Sequence, residues 1–474
     1  MWPLAVLGIG LAAIILLISV LRVHAFIALI AVAVLTGLLA GPLSPETQAQ
    51  IAKNGIKLKS EGYAARAVEL AVSGFGSAAE KMGVVIALAA VIGVCLVESG
   101  GAEKVVRRFL AVLGERRAPH ALFAAGFLLS IPIFFETYFM LLLPLAQALH
   151  VRTGRSYMTF VLAICCGGTI THSLMAPHPG PLQMADFLHL DVGVTMLAGL
   201  AAAVIPITGM WLLAQYIGRT VNAPMRETGG VPRAELQAMM DKPESELPTL
   251  GLALAPIVVP LLLIACASLS KVLGLHEAAP AVYPWIEFFG DRHVALLLGA
   301  FAAIALCMRQ RRIGLPAINK IIGPRFAEAG VIILIASAGG AYGAMLGYAG
   351  VGRVAGALAG HWELNLVFLG WAVSTIIRVA QGSATVAMAT ASAIMYPIIL
   401  QHRPPYHTVY IFLAIGFGSK MISWMNDSGF WAVSKLSGFT ESETLKSWTI
   451  LVTVGSLLGL TECLVFSKLL PLAN

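Results

Sequence analysis

Long apolar runs alternate with short polar stretches along almost the whole chain. A bilayer core about 30 Å thick is crossed by roughly 20 helical residues at ~1.5 Å each. Residues 3–21 and 24–41 read as two such helices, separated at Arg22. The first lacks a basic start and a clear cleavage site, so it is read as a membrane helix and not as a leader peptide. Residues 42–81 are polar and mixed, with an amphipathic segment near 64–72. Further spans are expected at 82–97, 192–217, 250–273, 293–308, 331–346 and 449–469. Period-two alternation is absent, which excludes an outer-membrane barrel. The pattern predicts an all-α polytopic membrane protein.

Four stretches interrupt the pattern. Residues 118–150 are apolar except around Pro132 and Glu136. Two half-length helices cannot each cross the core, so this stretch reads as a re-entrant hairpin with its tip near 134–137. One kinked helix, or two short full crossings, is the alternative. Residues 158–166 begin a helix that breaks near 167–181, through GGTITHS and then APHPGP, whose prolines have no N–H to donate. Residues 364–400 form another long apolar run, interrupted near 378–385 (RVAQGSAT). Residues 408–417 begin another helix, which breaks at 418–431 (GSKMISWMNDSGFW). Polar groups at membrane depth persist only where protein or a wet cavity satisfies them. The alternative for the last stretch is an interfacial turn belted by Trp424 and Trp431.

The interruptions recur in order. Pairing Gly101 with Gly340, Glu136 with Gln381 and Gly168 with Gly418 gives offsets of 239, 245 and 250, which argues for an internal duplication. Residues 104–117 carry five basic side chains, residues 309–325 carry five with no acid, and residues 273–290 carry none. Placing both basic runs in the cytoplasm inverts the second half relative to the first and leaves both termini periplasmic. The expected division is an N-terminal pair of helices with a polar loop (1–81), a first repeat (82–217), a hydrophilic linker (218–248), scaffold helices (249–326), a second repeat (327–435) and a C-terminal helix (436–474). That amounts to about 10 transmembrane helices plus two re-entrant hairpins, or about 12 spans if the hairpins cross fully. Inverted repeats with broken helices meeting at the midplane mark secondary transporters.

Composition sharpens this picture. The 474 residues are 58% hydrophobic and 12% charged, with a mean hydropathy of +0.85. The net charge of +7 would suggest nucleic acid in a soluble chain; here it records cytoplasmic loops against a lipid bilayer, and no nucleic-acid partner is expected. Six cysteines without CxxC or Cys/His spacing give no metal site, no disulfide framework and no cofactor. Cys165 and Cys166 read as core filler.

The chemistry then falls to the tips and breaks. The first tip offers Glu136 and Thr137, and the first break Thr169, Thr171, His172 and Ser173. The second tip offers Arg378, Gln381, Ser383 and Thr385, and the second break Ser423, Asn426, Asp427 and Ser428. Ser99, in the ESGGA stretch, joins the substrate-binding candidates. Half-helix N-termini add positive dipole ends. Hydroxyls and amides around one fixed cation suit a small polyhydroxy or hydroxy-amino carboxylate. Arg378 either forks onto that carboxylate or pairs with Glu136 or Asp427. Asp427, Glu136 and His172 are the proton-coupling candidates, because desolvation favours a neutral carboxyl and histidine titrates near neutrality. His172 ranks first as a substrate contact and His178 as structural. Gly339, Gly343 and Gly347 read as a close-packing ridge.

Taken together, residues 98–102 (ESGGA), 131–145 (IPIFFETYFMLLLPL), 171–181 (THSLMAPHPGP), 378–387 (RVAQGSATVA), 418–431 and 439–448 (FTESETLKSW) resemble the gluconate permease family of bacterial proton symporters, within the wider ion-transporter superfamily. The similarity covers nearly the whole chain. It implies proton-coupled uptake of gluconate or a related small sugar acid across the inner membrane, no enzymatic activity, and a homodimer as the assembly to test. The chain departs from the family pattern at residues 175–177 and at Tyr138, which would add bulk near the site. D-serine, glycerate, a hexuronate or Na⁺ coupling are the alternatives within the carrier class. Remoter ones are a channel, or an intramembrane enzyme using Ser383 or Ser428 with His172 as base.

Overall fold

The structure is a computed structural model and describes residues 2–43, 45, 47–48, 51, 58–221, 223–226, 243–273, 275–351, 354, 365–425 and 427–472. Every regular element among them is helical. Trp2–Ile15 (α1) and Ala25–Ala40 (α2) precede Tyr63–Glu98 (α3), whose 36 residues absorb the amphipathic segment as their first turns. The first half continues with Gly101–Leu113 (α4), Ala118–Leu129 (α5), Phe135–Thr153 (α6), Tyr157–Thr169 (α7), Pro179–Phe187 (α8) and Val192–Thr220 (α9). Leu250–Val272 (α10), Tyr283–Gly290 (α11) and Arg292–Arg311 (α12) lead to the second half. That half comprises Leu315–Tyr348 (α13), Leu366–Gln381 (α14), Ala384–His402 (α15), Val409–Gly418 (α16), Ser428–Ser437 (α17) and Ile450–Leu469 (α18). Eight helices among the described residues are long and apolar enough to cross a membrane.

The two halves share one packing scheme. The first hairpin arm α5 lies on α7 as α14 lies on α16, the closing helix α9 lies on α7 as α18 lies on α16, and α9 and α18 pack on each other. The lead helices run antiparallel. A Cβ at Gly74 would meet Ala344 Cβ at 3.0 Å, one at Gly340 would meet Ala78 Cβ at 2.4 Å, and one at Gly83 would meet Ile333 Cγ2 at 3.7 Å. As the α3 number rises, the α13 number falls, so the second lead helix is reversed against the first. Small residues permit this approach, which is how helices associate without a hydrophobic gradient. Gly339 and Gly343 of the expected ridge face Ala389 and Ala393 of α15, but Gly347 has nothing within 4 Å.

Two boundaries differ from the expectation. The first hairpin loop is residues 130–134, and Glu136 and Thr137 sit in the first turn of α6, which runs 19 residues and outlasts a half-helix. The first break is confined to residues 175–178, because the chain stays helical through Gly167, Gly168 and the turn Thr171–Leu174. Those glycines serve packing: a Cβ on Gly167 would lie 2.5 Å from the Phe123 carbonyl oxygen, and one on Gly168 would lie 2.0 Å from the Tyr138 hydroxyl. Pro179 and Pro181 open α8, where a missing N–H costs nothing. Ser99 is the C-cap of α3.

Candidate functional site

Each hairpin tip is tied to the break of its own half. In the first, the Ser130 and Thr171 hydroxyls lie 2.6 Å apart, and His178 Nε2 donates to the Ser130 carbonyl at 2.7 Å. In the second, Ser374 donates to the Ile415 carbonyl at 2.8 Å and Trp424 Nε1 to the Val379 carbonyl at 3.2 Å. The two breaks touch through the Ser173 and Ser419 hydroxyls, 3.3 Å apart.

The second break is non-helical at residues 419–425 and at 427. Several of its backbone polar groups find partners, as burial demands. Ser419 N–H donates to the Ile415 carbonyl, Lys420 N–H to the Phe417 carbonyl at 3.0 Å, and Asp427 N–H to the Trp424 carbonyl at 2.9 Å. Ile422 N–H donates to Thr453 Oγ1 at 3.2 Å, and Thr449 Oγ1 donates to the Ser423 carbonyl. Ile422 holds φ 44°, an uncommon conformation for a β-branched residue. Trp448, in a π turn that opens the last span, donates from Nε1 to Ser423 Oγ at 2.6 Å.

A cavity of about 480 Å³ lies where these parts converge, within the range that holds small ligands. The tips contribute Pro132 to Phe135, Thr137 and Gly382 to Thr385. The end of α7 contributes Thr169 and the turn after it His172, the second break Lys420, Ser423 and Asp427, the start of α17 Ser428 and Gly429, and α13 Arg325 and Glu328. Arg378 and Asp427 pair inside it, Nη2 to Oδ2 at 2.5 Å, with Arg378 only 3% exposed and Asp427 8%. Ser423 also donates to Asp427 Oδ2, and Gly429 N–H donates to Oδ1 at 3.1 Å, so the same carboxylate caps α17. Of the guanidinium, Nε and Nη1 have no partner among the described residues, nor has His172 Nδ1. Arg325 holds both Glu328 oxygens, at 2.6 and 2.8 Å. Lys420 adds a third cation to the described lining side chains.

Of the residues expected at the site, Thr137, His172, Arg378, Ser383, Thr385, Ser423, Asp427 and Ser428 line this cavity. Three do not. Ser99 accepts from Gly101 N–H at 3.2 Å and donates to the Leu96 carbonyl within a turn, Thr171 bonds the Gly168 carbonyl, and Ser173 joins the two breaks. Asn426 and the side chains of Glu136 and Gln381 lie outside the described residues. Tyr138 is buried behind the site with its hydroxyl on the Ile164 carbonyl, so its bulk fills the α6–α7 contact and not the cavity. Sequence reasoning gave Lys420 no role and missed Trp448 and the Arg325–Glu328 pair. Lys420 stood inside the second break and was readable there as a second cation. The other three required the fold to bring α13 and α18 to the tips.

Residues 2–469 match the family described as GntP family permease. The chain is 32% identical over 459 residues to a gluconate permease of Pseudomonas aeruginosa, covering 96% of this chain and 95% of that one. It is 30% identical over 450 residues to the low-affinity gluconate transporter of Escherichia coli K12, covering 93% of each. It is 28% identical over 472 residues to the Gnt-II system L-idonate transporter of the same organism, covering 99% of this chain and 100% of that one. Among solved structures, the Alcanivorax borkumensis YdaH transporter, described as having an unusual topology, superposes with a TM-score of 0.64 at 14% identity, over 95% of this chain and 100% of that one. That likeness speaks for the fold alone.

Proposed function

The chain belongs to the GntP permease family, and from that premise we propose that it imports gluconate or a closely related sugar acid across the inner membrane together with a proton. The carrying observation is Arg378: a buried cation in a ligand-sized cavity, held by Asp427 through Nη2, with its other two nitrogens, Nε and Nη1, unpartnered among the described residues. A carboxylate is the ligand that a guanidinium fork suits best. The hydroxyl-bearing lining (Thr137, Ser383, Thr385, Ser423, Ser428) suits a polyhydroxy chain. Relatives named for gluconate and L-idonate support this substrate class, and their being permeases argues for a carrier over an enzyme.

The pair also supplies a coupling rule. An ionised Asp427 holds Arg378; a protonated one releases the fork to the substrate carboxylate. Proton and anion then load as a neutral set, which avoids leaving a lone charge at membrane depth. In this reading Ser423 orients Asp427, and His172, with an unpartnered Nδ1, meets a substrate hydroxyl. The repeats run 82–217 and 327–435, with the cytoplasm on the side of the basic runs.

The test is uptake of labelled gluconate into proteoliposomes under an imposed inward proton gradient, with unlabelled glycerate, D-serine and a hexuronate as competitors. Gradient-driven uptake blocked best by gluconate supports the reading. Uptake driven by Na⁺ alone replaces the coupling ion, a better competitor replaces the substrate, and flux without counterflow would make the protein a channel.

A further inference from the structure

A second cavity, of about 1160 Å³, lies at the other end of the antiparallel α3/α13 pair. The same four helices line both cavities with successive stretches. The interval between them runs from Met82 to Ala89 on α3, Ile335 to Gly340 on α13, Pro179 to Asp186 on α8 and Thr385 to Ala393 on α15. At ~1.5 Å per residue that leaves a wall about 8–12 Å thick. Short of Asp186 itself, no residue in these four intervals is charged.

The wall is nonetheless polar. Gln183 on α8, Ser337 on α13 and Thr390 on α15 fall inside it, and each is fully buried. Gln183 Oε1, Ser337 Oγ and Thr390 Oγ1 have no hydrogen-bond partner among the described residues. The Gln183 amide donates from Nε2 to the Ala336 carbonyl at 2.5 Å, which fixes the side chain beside Ser337. Pro179, Gln183 and Phe187 recur every four residues, so one stripe of α8 leads from the first cavity through the wall to the second. On α15, Thr390 shares a stripe with Pro397 and Gln401, both of which line the second cavity. A wall that only sealed would be apolar, because a buried polar atom without a partner is destabilising.

We propose that this wall is a polar septum that the cargo crosses between the two cavities, and that its three oxygens bind the hydroxyl groups of a polyhydroxy carboxylate in transit. This rests on the carrier reading above and adds a second recognition site to it. The division of labour follows from charge: Arg378 holds the carboxylate in the first cavity, and the septum reads the uncharged, hydroxylated part of the molecule. The second cavity presents the Lys81–Asp186 pair, 2.9 Å apart, with Glu80 and His189 beside it, so charged groups flank the septum without entering it.

The test uses the double variant Ser337→Ala with Thr390→Val, and separately Gln183→Leu. Three quantities are read: the gluconate dissociation constant in detergent, the thermal unfolding midpoint, and gradient-driven gluconate uptake in proteoliposomes. The expected result is binding within twofold of wild type and uptake at least tenfold slower for both variants, with a midpoint equal or higher for the double variant, which removes only unpartnered polar atoms. Wild-type uptake by both variants overturns the septum while the carrier reading stands. A lowered midpoint together with lost binding also overturns it, by making these residues structural. A wild-type protein that neither binds nor imports gluconate removes the carrier reading, and the septum with it.

Discussion

Arg378 and Asp427 are joined, Nη2 to Oδ2 at 2.5 Å, across the gap between the second hairpin tip and the second helix break. The same carboxylate receives the Ser423 hydroxyl and caps α17 through Gly429 N–H, and Ser423 in turn receives Trp448 Nε1. One side chain therefore orders the break, fixes its last span and pins the buried cation. Removing one partner of such a pair strands the other charge, at a cost of roughly 3–5 kcal/mol.

Asp427→Asn separates charge from shape. Asparagine is as good an N-cap as aspartate, so insertion and folding are expected to persist. Gradient-driven uptake is expected to fall on the order of 100-fold or more, since a few kcal/mol of functional interaction is at stake. Proteoliposome uptake normalised to inserted protein checks this; undiminished proton-driven uptake would remove Asp427 from the coupling step.

Arg378→Lys keeps the charge but loses the planar fork. The expected outcome is an apparent affinity for gluconate weaker by about 10- to 100-fold, as befits one or two charge-assisted hydrogen bonds. Concentration dependence of uptake reads it directly. An unchanged half-saturation concentration would confine Arg378 to holding Asp427.

Gly167→Ala tests the packing of α7 on α5. A methyl group there would lie 2.5 Å from the Phe123 carbonyl oxygen and 2.7 Å from Phe127 N, and backbone atoms cannot rotate away. A loss of about 1–3 kcal/mol is expected in thermal unfolding. Gly347→Ala has nothing within 4 Å and is expected to be neutral or to gain up to about 1 kcal/mol from helix propensity. Equal midpoints for the two variants would refute the packing argument.

Asp191 caps α9 through Gly193 and Val194 N–H groups and accepts from Ser268. Burial pushes its carboxyl up, but the Ser268 hydroxyl, the Val194 N–H, Lys271 and the Gly193 N–H more than offset that and hold it below the usual aspartate value. A depressed folded-state value means stability that is present above about pH 4, the unfolded aspartate value, and lost as pH falls through the folded one. Asp191→Ala is expected to cost ~1 kcal/mol at neutral pH, with the difference from wild type shrinking in acid. A difference that grows with acidity would assign the loss to something other than this carboxylate.

The apolar runs, the order of interruptions and the distribution of arginine and lysine were enough to read a polytopic helical protein built from two related halves, because length and apolar content alone decide what can cross a bilayer. The second break was legible for the same reason: Asp427 and Lys420 cannot stand at membrane depth without an unusual environment. The first break was legible in its proline stretch but not in where it starts, because Gly167 and Gly168 look alike in sequence whether they end a helix or let α5 and α6 approach it. Nor could the chain alone choose among the partners of Arg378, set Ser99 and Ser173 outside the cavity, or bring Trp448 and Arg325 into it. Those outcomes depend on which helix faces meet. The hydrophobic pattern selects the helices, but only close packing of residues far apart in the chain decides which polar atoms are partnered and which are left facing a cavity.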